Sequence, residues 1–438
     1  MDMVHPVGAG MESRESPPIE STKQSLSDAV AFETGQSETY KTAEPRNHLA
    51  ELDALRGIAI IMVVVNHLCA IWQSSIGPLA IPVLDTDLLG LVQSHLAVPG
   101  VPLFFLLSGY LLTWTEGKRA KRGNYSLRSY ALRRVLRLVP AYYVALLVAF
   151  VVVSLHLGYY KISLVDMLAH LAFVQSLTPA FAWTISPTFW SLTPEVVFYC
   201  LLPVIILKLP RLWPRLVLFV VLYLIAMPIR VLALQAWETP PKLVYGQMDL
   251  NVFLSSLPIT LLYLFLVGVL LRMMVEHLDG RPVSHLQLYI ALALFLSSLA
   301  VFVIITPALG FLNLLGLGTL GWTAVYIAQL LGRDFAMIGF FASALLGAPI
   351  LHRLLKWRPL SFIGLISYSM FVFHGTLLVL FGDYFLRVEG VKNWLRRDLV
   401  TMWASFSFYS LSMFVVIGII SYLGYRYIES PFLRIKPK

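Results

Sequence analysis

Two cysteines are all that 438 residues contain, Cys69 and Cys200, and each stands inside an apolar run. Two thiols so placed support neither a disulfide framework nor a cysteine-based metal site. Charge is scarce as well. Asp, Glu, Lys and Arg together make up 13% of the chain, against the ~25% usual for a soluble domain. What replaces them is apolar: 58% of the residues are hydrophobic and the mean hydropathy is +0.76. Such a chain belongs in a bilayer. The net charge of +9 does not point to nucleic acid, because much of it gathers in one place. Lys118, Arg119, Lys121, Arg122 and Arg128 lead into Arg133, Arg134 and Arg137. That cluster lies between two apolar runs, and the positive-inside rule reads it as a cytoplasmic loop.

Residues 1–47 differ from the rest. They hold eight acidic and four basic residues and no apolar run, the composition of a disordered polar tail. A basic start followed by a short apolar core is missing, so the tail does not read as a cleavable signal peptide. The first membrane helix is expected to act as an uncleaved anchor. Apolar segments then follow at 55–73, 98–115, 136–157, 190–208, 215–236, 251–273, 286–306, 312–331, 335–353, 361–382 and 404–426. Each is close to the ~20 residues that a helix needs to cross. A shorter stretch, 164–177, reads as a half-span or an interfacial segment. The expected fold is therefore all-α, a polytopic transmembrane helix bundle of about ten to twelve spans. Two spans before the basic loop, the N-terminus is expected on the cytoplasmic side. The loop 74–97, which has no Lys or Arg, then falls outside. In a bacterium the host membrane would be the inner, plasma membrane. No internal repeat is evident.

Chemistry-bearing residues interrupt the apolar runs. "LDALRGIAIIMVVVNHL", residues 52–68, carries Arg56 and His67. Eleven residues on a helix turn through 1100°, so both side chains share a face, roughly 16 Å apart along the axis. Arginine is costly in lipid and histidine moves protons near neutral pH. Asp53 is placed to cap the helix or to pair with Arg56. The bland reading of Arg56 is a side chain snorkelling to the headgroups. In "VPGVPLFFLLSGYLLTW", 98–114, Gly100 and two prolines open a helix that Ser108-Gly109 interrupts, and Gly109 is expected to allow close helix packing. Ser108 as a nucleophile has no base nearby in sequence. In "YALRRVLRLVPAYYVAL", 130–146, Arg133, Arg134 and Arg137 form either a topology signal or a phosphate clamp. In "TFWSLTPEVVFYCLLP", 188–203, Thr193 reads as an N-cap, Pro194 as the first helical residue and Glu195 as a first-turn carboxylate. Glu195 either favours the helix dipole or orients a partner in the bundle. His374, in "FIGLISYSMFVFHGTLLV", lies in a later span, and His95 in the outer loop is a further candidate.

Taken in order, "LDALRGIAIIMVVVNHL", "GVPLFFLLSGYLL", "RRVLRLVPAYY", "FWSLTPEVVFYCLLP", "FIGLISYSMFVFH" and "YIESPF" resemble the acyltransferase 3 family of integral membrane O-acyltransferases. The resemblance implies a membrane domain over 48–434. Its arginine-to-histidine spacing falls on Arg56 and His67, its arginine cluster on Arg133, Arg134 and Arg137, and its Trp-Ser-Leu…Glu element on Trp190 and Glu195. Pro194 departs from the family pattern, the tail is longer than usual, and the span count exceeds the usual ten by at least one. The implied activity is transfer of an acyl group, commonly acetyl, from acyl-CoA to a hydroxyl of a sugar, glycolipid or small metabolite. No permanently bound cofactor or metal is implied. In that scheme His67 is the general base or a transient acyl carrier, Glu195 orients it, and Arg56 with Arg133, Arg134 and Arg137 holds the donor's phosphates. A proton-coupled secondary transporter is the alternative, since an intramembrane His and Glu relay protons in such proteins. It would be expected to show matched internal repeats.

Overall fold

The computed structural model describes residues 46–81, 86–93, 98–157, 162–235, 250–278, 284–305 and 319–435. Residues 1–45 of the polar tail and His95 lie outside them, while Arg46 and Asn47 open the first helix. Long helices make up the fold. In chain order they are α1 (Arg46–Ser75), α2 (Gly100–Lys121), α3 (Leu127–Val152), the short α4 (Leu164–Leu171), α5 (Leu192–Lys208) and α6 (Leu212–Gln235). They continue as α7 (Pro258–Leu278), α8 (His285–Ala300), α9 (Thr319–Leu345), α10 (Arg358–Leu365), α11 (Ser367–Leu377) and α12 (Leu399–Gly424). The only extended pairing among the described residues is a two-residue antiparallel ladder, Ala80–Ile81 with Thr86–Asp87. Asp87 ties it down, accepting from the backbone N–H groups of Leu79, Leu89 and Gly90 at 3.0–3.2 Å.

Among the described residues, eight helices are long and apolar enough to cross a membrane, or nine with the pair α10–α11, which bends by 71°. The number that qualifies by composition is below the ten to twelve expected for two identifiable reasons, although with α2 and the bent pair the described residues carry ten passes, the low end of that range. The runs 312–331 and 335–353 count as two expected spans, with Arg333 and Asp334 between them, and residues 312–318 lie outside the described residues. The structure instead carries one helix, α9, through that point. Arg230 of α6 reaches across to grip Asp334 at 2.7 and 3.3 Å, and the Tyr263 hydroxyl of α7 donates to the same carboxylate at 2.9 Å. A paired carboxylate no longer forces a helix end in an apolar bundle. The second reason is α2. It has 22 residues, but Thr113, Glu116, Lys118 and Arg119 make its C-terminal part too polar to qualify by composition. The 164–177 stretch gives α4, whose eight residues are too few to cross.

Helix α1 is the hub. It packs against α2, α10, α11 and α12, burying Leu52, Leu55 and Ala59 in one apolar cluster and Ile60, Val64 and Leu68 in another. Two crossings depend on missing side chains. A Cβ on Gly57 of α1 would sit 2.2 Å from the Leu360 carbonyl oxygen, and one on Gly364 of α10 would sit 1.7 Å from that of Asp53. Likewise, a Cβ on Gly109 of α2 would meet the Phe265 carbonyl at 2.0 Å, and one on Gly268 of α7 would meet that of Leu106 at 2.2 Å. Gly109 therefore serves close packing, as expected, and α2 runs through Ser108-Gly109 without interruption. Small residues letting backbones meet is how apolar helices associate where solvent supplies no hydrophobic drive. Around the rim, Leu147, Leu224, Phe408 and Leu411 are exposed. Lipid chains would cover side chains that water would penalise.

Candidate functional site

At one end of the bundle, the starts of α1 and α3 meet α2, α5 and α11. A cavity of about 100 Å³ lies among them, with Arg56, Arg134, Arg137, Glu195, Tyr199 and Ser108 on its polar side. Four of the six residues expected at the site thus share one space, although they are spread over three helices. Arg56 is tied back to Asp53 at 3.1 Å and keeps about a third of its side chain exposed. Asp53 is therefore its partner and not a helix cap. Glu195, on the first turn of α5, accepts a hydrogen bond from the Tyr199 hydroxyl one turn on. Arg137, Arg134 and Arg56 are its cationic neighbours. Thr193, expected as the N-cap, falls inside α5, and its hydroxyl is buried without a hydrogen-bond partner. A single tight turn, Phe189–Ser191, leads straight into the helix and leaves no cap position for it.

The arginine cluster divides. Arg133 leaves the cavity and donates to Glu116 of α2 at 2.8 Å. The fully buried Glu116 also takes Arg119 at 2.6 Å and stands 3.7 Å from Arg134. Arg133, expected beside Arg134 and Arg137 at the site, is thus not among the cavity-lining residues, and Glu116 pairs with it while helping to hold Arg134. The guanidinium of Arg134 lies 5.7 and 5.8 Å from the ring centres of Tyr130 and Tyr199, a cation–π cradle. Arg137 pairs with Glu429, just beyond α12, whose other oxygen accepts from the Ser369 hydroxyl at 2.8 Å. The Tyr368 ring lies 5.4 Å from Arg137. Glu116 and Glu429 were not recognised from the sequence. Glu116 is a lone carboxylate in a basic run, and Glu429 sits in the terminal "YIESPF"; those oddities were the available signals.

His67 is placed deeper and does not meet Glu195. Its Nδ1 lies 2.8 Å from the Val63 carbonyl oxygen. Because a carbonyl only accepts, Nδ1 carries the hydrogen and Nε2 is left as the basic atom. The neighbour of His67 is His374 of α11, ring centres 5.0 Å apart and planes 68° from parallel. Phe371 links the two regions: it lines the cavity, and its ring centre is 5.9 Å from that of His374. Across from it stands Phe104 at 6.3 Å. The site is thus a cationic chamber, an aromatic pair and a histidine pair. Among the described residues no group of three or more His, Cys, Asp or Glu side chains could hold a metal ion.

Fold and site together define a polytopic membrane helix bundle with an arginine-lined chamber at one end and imidazoles within. The chain belongs to the acyltransferase 3 family: the family described as "Acyltransferase domain" matches residues 49–423. It is 25% identical over 415 residues to "Peptidoglycan O-acetyltransferase OatA" of Listeria monocytogenes serovar 1/2a, covering 89% of this chain and 56% of that protein. It is also 27% identical over 164 residues to "Putative acetyltransferase ORF330" of Acidianus two-tailed virus, covering 37% of this chain and 43% of that protein. The chain thus spans about half the length of these curated relatives. No solved structure matches it.

Proposed function

We propose that this chain transfers an acyl group, acetyl first among the candidates, from acyl-CoA to a hydroxyl of a carbohydrate, glycolipid or small metabolite. The observation that carries the proposal is the shared cavity of Arg56, Arg134 and Arg137. Three guanidiniums in one chamber suit a donor rich in phosphate, since arginine grips phosphate through paired N–H groups. From Arg56 to His67 is roughly 16 Å along α1, a distance for an extended thioester arm to cover. The Phe104–Phe371 pair lies on that route. At the far end, His67 Nε2 takes the proton of the acceptor hydroxyl, and the oxygen attacks the thioester carbonyl. The C–S bond breaks, and the leaving thiolate recovers the proton from His67, so the reaction balances without added acid or base. Glu195 works here among the arginines, where it sets the charge of the donor chamber and orients Tyr199. The positive-inside reading of the 118–137 loop puts the chamber on the cytoplasmic side, where acyl-CoA is made. One relative's name makes peptidoglycan the first acceptor to try.

Membranes carrying the chain, labelled acetyl-CoA and pooled glycan, glycolipid and small-molecule acceptors provide the test. Transfer by the parent is expected to fall by about a hundredfold or more in His67→Ala, the scale of lost general-base catalysis. Arg56→Ala and Arg134→Ala are expected to raise the donor KM with less effect on kcat. Transfer that survives His67→Ala at the parent rate would overturn the mechanism.

A further inference from the structure

We propose that His374 is a positioning residue for the reaction at His67: a neutral imidazole that stabilises the imidazolium formed there. The proposal rests on the acyl-transfer reading above and adds a residue to it. Both rings are locked in the same way. His67 donates Nδ1–H to the Val63 carbonyl at 2.8 Å, and His374 donates its own to the carbonyls of Met370 and Phe371 at 3.0 and 2.8 Å. Both Nε2 atoms are therefore lone pairs. His374 is fully buried, and its Nε2 has no hydrogen-bond partner among the described residues. A buried acceptor without a donor is unfavourable unless something gains from it.

The edge-to-face contact supplies that gain. A lone pair or a ring face set against a neutral imidazole is attracted weakly. The same group set against an imidazolium is attracted as to a cation. With the Nε2 lone pair or the ring face of His374 turned toward His67, the contact strengthens when His67 takes the acceptor's proton and relaxes when the thiolate recovers it. An interaction that is stronger at the charged stage accelerates the step. Glu195 is engaged with Tyr199, and among the described residues neither ring has a carboxylate as a hydrogen-bond partner. The bend between α10 and α11 sets the start of the helix that carries His374 against α1.

His374→Leu keeps bulk and removes the polar contact, while His374→Gln keeps an acceptor. The first readout needs no acyl acceptor: the rate at which diethyl pyrocarbonate modifies His67 in the full chain in membranes, followed by mass spectrometry. That reaction also builds positive charge on the His67 ring. It is expected to slow by about tenfold or more in His374→Leu, the scale of one contact to a charged group, and to recover in His374→Gln. The second readout is acetyl transfer. His374→Leu is expected to lower kcat with the acetyl-CoA KM unchanged, and adding it to His67→Gln is expected to cost nothing further. An unchanged modification rate of His67 in His374→Leu overturns the inference, whether or not transfer is seen. Slowed modification together with no transfer by the parent to any acceptor would count against the acyl-transfer reading and leave the histidine pair standing.

Discussion

The arginine cluster converges on one carboxylate. Glu116 is fully buried and holds Arg119, Arg133 and, more distantly, Arg134. Removing one partner from a buried ionic cluster leaves uncompensated charge and is more damaging than its net contribution suggests. Glu116→Ala is therefore expected to destabilise the protein by about 3 kcal/mol, measured by denaturation in detergent. Glu116→Gln retains hydrogen bonding and frees Arg134 to shift. It is expected to raise the donor KM by about tenfold, equivalent to about 1.4 kcal/mol of lost binding, with a smaller loss of stability. A Glu116→Gln variant with the parent's donor KM would show that Arg134 holds its place without help. Arg137 depends on Glu429 in the same way, across 292 residues of chain. His67 and Arg56 stood out in the sequence because each violates its apolar surroundings. Glu116 and Glu429 did not, because they acquire meaning only from the arginines packed beside them.

At the level of the helices, two close crossings position the site. Gly57 and Gly364 bring α1 against α10, and Gly109 and Gly268 bring α2 against α7. The first crossing sits beside Asp53, which anchors Arg56. Gly364→Ala would place a methyl group against backbone that cannot rotate away. It is expected to cost about 1–3 kcal/mol and to lower transfer by displacing α1 and α11 together. Gly418→Ala in α12 is the control. A Cβ there meets nothing within 4 Å, so stability should be unchanged or slightly raised. Equal melting of the two variants would mean that the crossing has room to spare. The long α9 teaches a related point. The apolar pattern alone breaks at Arg333-Asp334, and only the grip of Arg230 on Asp334 shows why the helix runs on.

For the whole molecule, the consequence is topological. Arg56 near the start of α1 and Arg137 near the start of α3 face one cavity, and Glu429 beyond α12 reaches Arg137. The start of α1, the α2–α3 turn and the end of α12 therefore lie at the same end of the bundle. The side on which the end of α12 and Glu429 lie thus follows the side of the start of α1. Among the described residues, α2 and the bent pair with the eight qualifying helices make ten passes, an even number. Asn124→Cys and Arg434→Cys, both at exposed positions, are expected to react together or to be shielded together when intact cells meet a membrane-impermeant thiol reagent. Labelling of one alone would break this arrangement.

What the sequence determined by itself is what short-range physics controls. Apolar runs of helix length against a charge content of 13% leave few alternatives to a helical membrane bundle. Helix periodicity put Arg56 and His67 on one face before any packing was known. The tertiary structure decided the partners. It turned Glu195 toward Tyr199 and the arginines, gave His67 to His374, withdrew Arg133 to Glu116 and joined two expected spans into α9. Pairings of this kind are set by which helices cross and how closely, and those crossings depend on glycines and buried ion pairs tens to hundreds of residues apart. Local hydropathy carries no record of such distances, whereas a buried charge in an apolar medium must find its partner wherever the fold supplies one.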